Sequence, residues 1–257
     1  MSHYQESSTS VTSNKNYFTT VFLIFVFMVC SFSQAEAQVV PDTNKTVAIN
    51  IDNSGKFFAA ASFIVGGGLK NIKVGTATNN SDVTISGGGG IGGNLALGYG
   101  ISSSLEVSLA GGTQSSTLSP KVDNAEGSFN RTIFLATLKD KIPITSTGII
   151  KVGAGLGYYI PSDLDLDFTK ISGGGHNVFS YDSKIGFHLT CDYEMFTASK
   201  FSWGFGLKYY NVTYNLKSVK SNGTIVSINS MSSDLKNETM ELDGSGIDLS
   251  VFIAICL

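Results

Sequence analysis

The chain has 257 residues, of which 42% are hydrophobic and only 14% charged, with 29 glycines and 4 prolines. That is too apolar for a disordered polypeptide and too glycine-rich for a helical bundle. The formal net charge of −3 carries no basic excess of the kind that binds nucleic acid, so none is expected as a partner.

In chain order, the first feature is an export signal. A polar stretch carrying Lys15 precedes the apolar run "YFTTVFLIFVFMVC", which is short for the roughly 20 residues of a spanning helix. "SFSQAEAQ" follows, and Ala35-Glu36-Ala37 reads as a cleavage pattern with the cut before Gln38. Residues 1–37 are therefore expected to be a signal peptide and 38–56 a periplasmic lead-in, leaving 57–257 as one domain. Cys30 leaves with the signal, and Cys191 and Cys256 remain. Their strands are separated by a third, which exceeds the reach of a disulfide of about 7 Å between Cα atoms, so both are expected as free, inert thiols.

Beyond the lead-in, segments alternate with a period of two, the mark of extended strands. "KFFAAASFIVGGG" places Phe57, Ala59, Ala61, Phe63 and Val65 on one face. "GGNLALGYGI" alternates Leu95, Leu97 and Tyr99 with Asn94, Ala96 and Gly98, and "LEVSLAGG" sets Glu106 and Ser108 against Leu105, Val107 and Leu109. "RTIFLATLKD", from Arg131, is apolar in both phases and leaves its register open. "IIKVGAGLGYYI" puts Leu156 and Tyr158 opposite Lys151, the glycines and Tyr159. "YDSKIGFHLTCDYEM" opposes Ile185, Phe187, Leu189 and Tyr193 to Asp182, Lys184, His188, Asp192 and Glu194. "FSWGFGLKYYNVTY" carries Phe201, Trp203, Phe205, Leu207 and Tyr209 on one face and Lys208 among small residues on the other. "GIDLSVFIAICL" closes the chain, with Asp248 on its small-residue face.

These are eight segments. The links between them alternate between short ("SSS", "KIPITSTG", "TASK") and long polar stretches near 68–90, 114–130, 161–178 and 215–245. Short and long links in alternation are the up-and-down meander of a transmembrane barrel with tight periplasmic turns and long external loops. "KTVAINI" from Lys45 and a hairpin in the first long loop would raise the strand number to ten; eight is preferred because the alternation already closes.

An eight-stranded interior is just wide enough to be filled by side chains. The large residues of several strands would overfill it, whereas the Gly, Ala and Ser face fits. The greasy face is therefore expected to meet lipid, with Tyr99, Tyr158, Phe187, Tyr193, Trp203, Phe205 and Tyr209 among its aromatics. The pattern resembles the small eight-stranded outer-membrane β-barrels of Gram-negative bacteria, the OmpA-domain, OmpX and OmpW kind. "LGYGISSSLEVSLAGG" and "IIKVGAGLGYYIP" carry the likeness, and the closing strand resembles their carboxy-terminal insertion signal, with Leu257 where Phe is usual. The resemblance implies an outer-membrane location, with lipid or lipopolysaccharide and the barrel-assembly machinery as partners.

Glu106, Lys151, Asp182, Lys184, His188, Asp192, Glu194, Lys208 and Asp248 are the candidate lumen residues. Mixed charges in a narrow interior must pair, because an isolated buried ion costs several kcal/mol. Three readings follow: a salt-bridged plug in a structural or interaction protein, a narrow path for small solutes in a porin-like channel, or a lipid-modifying enzyme built around His188. The first is preferred, and no enzyme is expected. His176, in "SGGGH", reads as a loop residue, and the "GGGG" at Gly87–Gly90 lacks the Lys-Ser/Thr of a phosphate loop. No spacing suggests zinc or calcium, so no metal or cofactor is expected. Loops 161–178 and 215–245 are the expected sites for an extracellular ligand.

Overall fold

The computed structural model describes residues 54–77, 80–197, 200–230 and 239–257. The expected signal peptide, most of the lead-in and "KTVAINI" lie outside the described residues. Fifteen strands are described: β1 Phe57–Gly68, β2 Asn71–Thr76, β3 Asp82–Ser86, β4 Gly90–Gly100, β5 Leu105–Thr117, β6 Glu126–Pro143, β7 Gly148–Pro161, β8 Leu164–Asp167, β9 His176–Tyr181, β10 Lys184–Phe196, β11 Phe201–Asn211, β12 Thr213–Ser221, β13 Thr224–Val226, β14 Glu241–Asp243 and β15 Gly246–Cys256.

Eight of them form the wall. β1, β4, β5, β6, β7, β10, β11 and β15 pair antiparallel in that order, and β15 returns to β1 with Ala59 opposite Ile255 and Val65 opposite Leu249. Closure pairs every wall strand on both sides, so no backbone edge is left to lipid. The wall strands run 11 to 18 residues, enough to cross a bilayer when tilted.

Which face looks outward follows from volume. Leu95, Leu97, Leu109, Leu156, Ile185 and Leu249 are each more than 60% exposed on the outside of the wall. Inside, small residues of one strand face large ones of the next. A Cβ at Gly98 would lie 2.1 Å from Phe58 Cζ, and one at Gly155 would lie 2.7 Å from His188 Nε2. The barrel is a transmembrane wall with its apolar side outward and small and large side chains of neighbouring strands interleaved inside. β6, open in register from sequence, turns Arg131, Ile133, Leu135, Thr137, Lys139 and Lys141 inward and Phe134 and Leu138 outward.

The seven remaining strands stand beyond the external end of the wall. β6 extends past it to pair with β8, which pairs with β9, which pairs with β12, and β12 also holds β13 and β14. β2 and β3 form a separate hairpin. What the sequence presents as long polar loops is thus a folded β layer. Its inward residues Ile72, Val83, Ile85, Leu164, Leu166, Phe179 and Val219 make one apolar core with Phe129, Ile133, Tyr159 and Tyr210 of the wall. Burying that core, at about 25 cal/mol per Å² of apolar surface, orders segments too short to stand alone.

Candidate functional site

The lumen is organised in three tiers. Nearest the periplasmic turns, Lys151 Nζ lies 2.8 Å from Glu106 Oε2 and 2.6 Å from Glu194 Oε2. Ser202 Oγ donates to the other oxygen of Glu194, and Lys151 Nζ sits 5.0 Å from the centre of the Phe58 ring. β7, β5 and β10 supply the triad, and their alternation is what turns all three side chains inward. All three are buried.

In the middle tier, Lys139 Nζ pairs with Asp192 Oδ2 at 2.7 Å, and His188 Nε2 is 2.9 Å from Thr137 Oγ1. Around it lies a cavity of about 110 Å³, with Ser108, Thr137, Thr190, Asp192, Lys208 and Ser250 on its wall. That space has room for water, since one molecule needs about 10–15 Å³ by this measure.

The upper tier lies at the mouth. Lys208 Nζ pairs with Asp248 Oδ2 at 2.9 Å, directly across β11 and β15. Above it Arg131 uses its whole guanidinium. Nε donates to Gln114 Oε1 at 3.2 Å, Nη1 to Gly244 O at 2.8 Å, and Nη2 to Gly88 O at 3.2 Å and to Tyr210 Oη. Its carbon lies 4.5 Å from the centre of the Tyr210 ring. Gln114 Nε2 in turn donates to Asp248 Oδ1 at 3.0 Å. A buried cation met by this many acceptors fixes the geometry of everything it touches.

Of the candidate lumen residues, Glu106, Lys151, His188, Asp192, Glu194, Lys208 and Asp248 meet in these tiers. Lys184 is half-buried on the inward phase at the first residue of β10 and takes no part in the ion pairs described. Asp182 is a correction. It precedes β10, is exposed, and lies 3.9 Å from Lys217 Nζ in the external layer. The alternation that suggested a lumen position stops at β10, and Asp182 falls in the link from β9. Arg131, Lys139 and Gln114 were not legible as lumen residues, because β6 is apolar in both phases and Gln114 fell in an expected loop.

The aromatic candidates lie on the outer face. Tyr99, Tyr158, Phe187, Tyr193 and Phe205 are exposed there, and Trp203 and Tyr209 are half-buried against Phe205 and Phe187. Cys191 is on this outer phase and Cys256 on the inner one, with β11 between their strands, and both are free. On the external layer His176 Nε2 lies 2.8 Å from Asp165 Oδ1, and Lys170 pairs with Glu126 at 2.9 Å. Thr169 donates from both its backbone and its hydroxyl to Asp167, which lowers that carboxyl below its ordinary range. Among the described residues no cluster has the make-up of a metal site.

No family model and no curated protein sequence matches the chain. Solved structures do. The outer-membrane protein AlkL is 16% identical, with 84% of this chain and 95% of that one covered at a TM-score of 0.47. Neisserial surface protein A is 13% identical, with 79% and 97% covered at 0.44. The outer-membrane protein OprG of Pseudomonas aeruginosa is 11% identical, and the match covers 80% of this chain and 97% of OprG at 0.52. At that identity the likeness to OprG is one of architecture, and with the closed wall described above it gives this chain the fold of an outer-membrane eight-stranded β-barrel protein.

Proposed function

We propose that the protein is an integral outer-membrane barrel with a closed lumen, and that its role is structural or interactive, carried by the external β layer. The observation that carries this reading is the upper tier. Arg131, Gln114, Asp248, Lys208 and Tyr210 bond across the mouth, with an apolar core above them. What remains beneath is a cavity of about 110 Å³, against a bilayer core about 30 Å thick. The exposed surface of β8, β9, β12 and β13, within 161–178 and 215–245, is then the place for an extracellular ligand. Lipid or lipopolysaccharide surrounds the wall, and the assembly machinery inserts it. The segment 1–37 serves as the export signal.

A catalytic reading has little support. His188 has a threonine rather than a serine nucleophile beside it, and His176 and Asp165 lie on the exposed layer with no nucleophile among their bonded partners. A second reading, a passive channel for small solutes, rests on the polar cavity and its charged walls. Planar-bilayer conductance of the refolded protein separates the two. A silent bilayer, with heat-modifiable gel migration showing a folded barrel, is expected. Reproducible single-channel steps that shift on Lys151→Ala would replace the closed-lumen reading with the channel.

A further inference from the structure

Two glycine runs, Gly66–Gly68 and Gly87–Gly90, flank β2 and β3. The second run leaves β3 and passes over the barrel mouth, ending at Gly90, the first residue of β4. A Cβ at Gly88 would lie 1.9 Å from Ser245 O, and one at Gly87 would lie 2.6 Å from Leu242 Cδ1. The strap thus passes against the segment joining β14 to β15, at a closeness only glycine allows. Gly90, at φ +119°, then turns the chain down into the wall.

The strap is held there by side chains from below. Arg131 Nη2 reaches Gly88 O at 3.2 Å and Nη1 reaches Gly87 O at 3.4 Å, while Tyr210 Oη donates to Gly88 O. From β5, Ser116 Oγ donates to Ser86 O at 2.7 Å. β2 and β3 do not join the ladder of the wall. Their backbone link to the neighbouring hairpin is the pair Thr84 and Ser119, bonded in both directions at 2.9 and 2.8 Å.

We infer that this strap is a latched gate: Arg131 and Tyr210 hold Gly87–Gly90 across the mouth, and their release opens the lumen to the external side. The inference rests on the closed-lumen reading and adds that the closure can be undone. Three features favour a gate over a fixed plug. The closing element is itself a run of four glycines, Gly87–Gly90, whose backbone can take other conformations at little steric cost. Its carbonyls find water once it moves. Arg131 keeps its bond to Gln114 and faces water once the strap has moved, so opening does not strand a buried cation. Beneath the strap lie Lys208 and Asp248 and then the polar cavity, so the opened path is polar and suits small hydrophilic solutes.

The test reads thiol labelling and amide exchange on the refolded protein in lipid vesicles, in a background with Cys191→Ser and Cys256→Ser and with Ser250→Cys on the cavity wall as reporter. With the mouth unmodified, a small polar thiol reagent added outside should leave the reporter unlabelled. Arg131→Met should let it be labelled, with exchange at Gly87–Gly90 and β3 at least about tenfold faster. Thr84→Cys with Ser119→Cys, oxidised in the Arg131→Met protein before labelling, should protect the reporter and slow the exchange, and reductant should restore the fast exchange. If Arg131→Met does not show heat-modifiable migration, Tyr210→Phe takes its place. A folded latch variant whose reporter stays unlabelled with unchanged exchange overturns the gate and leaves the closed lumen standing. Labelling that persists in the oxidised lock also overturns it. Conductance in the unmodified protein overturns the closed-lumen reading itself.

Discussion

Replacing Lys151 by methionine tests the lower tier most sharply. Lys151 is 5% exposed and sits between Glu106 and Glu194, themselves 1% and 3% exposed, at 2.8 and 2.6 Å. Methionine is one atom shorter but keeps most of the apolar stem, so packing changes little. What changes is charge, because two carboxylates now face each other with no cation between them. Removing one partner of a buried ion pair costs about 3–5 kcal/mol, because an uncompensated charge stays behind. The triple variant Lys151→Met, Glu106→Gln, Glu194→Gln carries no such charge and should recover most of the loss. The assay is urea unfolding in lipid vesicles, read by the fluorescence of Trp203, the sole tryptophan, on the outer face. A single variant within about 0.5 kcal/mol of the parent, or a triple variant no better than the single, would refute the argument that pairing holds these charges in place.

Gly98→Ala should destabilise the barrel by about 1–3 kcal/mol, since its Cβ would fall 2.1 Å from Phe58 Cζ, and adding Phe58→Leu should return part of it in the same unfolding assay. Gly223 turns the β12–β13 hairpin at φ +80°, after Asn222 at φ +48°, so Gly223→Ala should cost about 1 kcal/mol and speed amide exchange at Lys220 and Ile225 while the wall strands keep their protection. Oxidation should form no intramolecular disulfide between Cys191 and Cys256, whose side chains leave opposite faces of the wall; a reductant-sensitive shift in gel mobility at high dilution would contradict that placement.

The wall was legible in the sequence because a strand in lipid has one strict requirement, apolar outward at every second residue. "GGNLALGYGI" and "FSWGFGLKYYNVTY" state it without tertiary help. The same rule put Glu106, Lys151, Glu194, Lys208 and Asp248 inside, since each interrupts a small-residue phase. Where a strand is apolar in both phases the rule is silent, and Arg131 and Lys139 stayed hidden for that reason. The external layer was read as loops because β2, β3, β8 and β9 are only 4 to 6 residues long, too short for alternation to rise above a polar background. The Asn222-Gly223 pair, at φ +48° and +80°, forms the two-residue turn that pairs β12 with β13.

The sequence by itself determined the barrel and which face meets lipid, and it favoured eight strands over ten, because those follow from a local period and the lengths of the links. Only the tertiary structure decided which side chains meet inside the lumen and at its mouth. The bonds of Arg131 join residues 17 to 113 positions apart in the chain, and no local pattern encodes which distant carbonyl a guanidinium will meet.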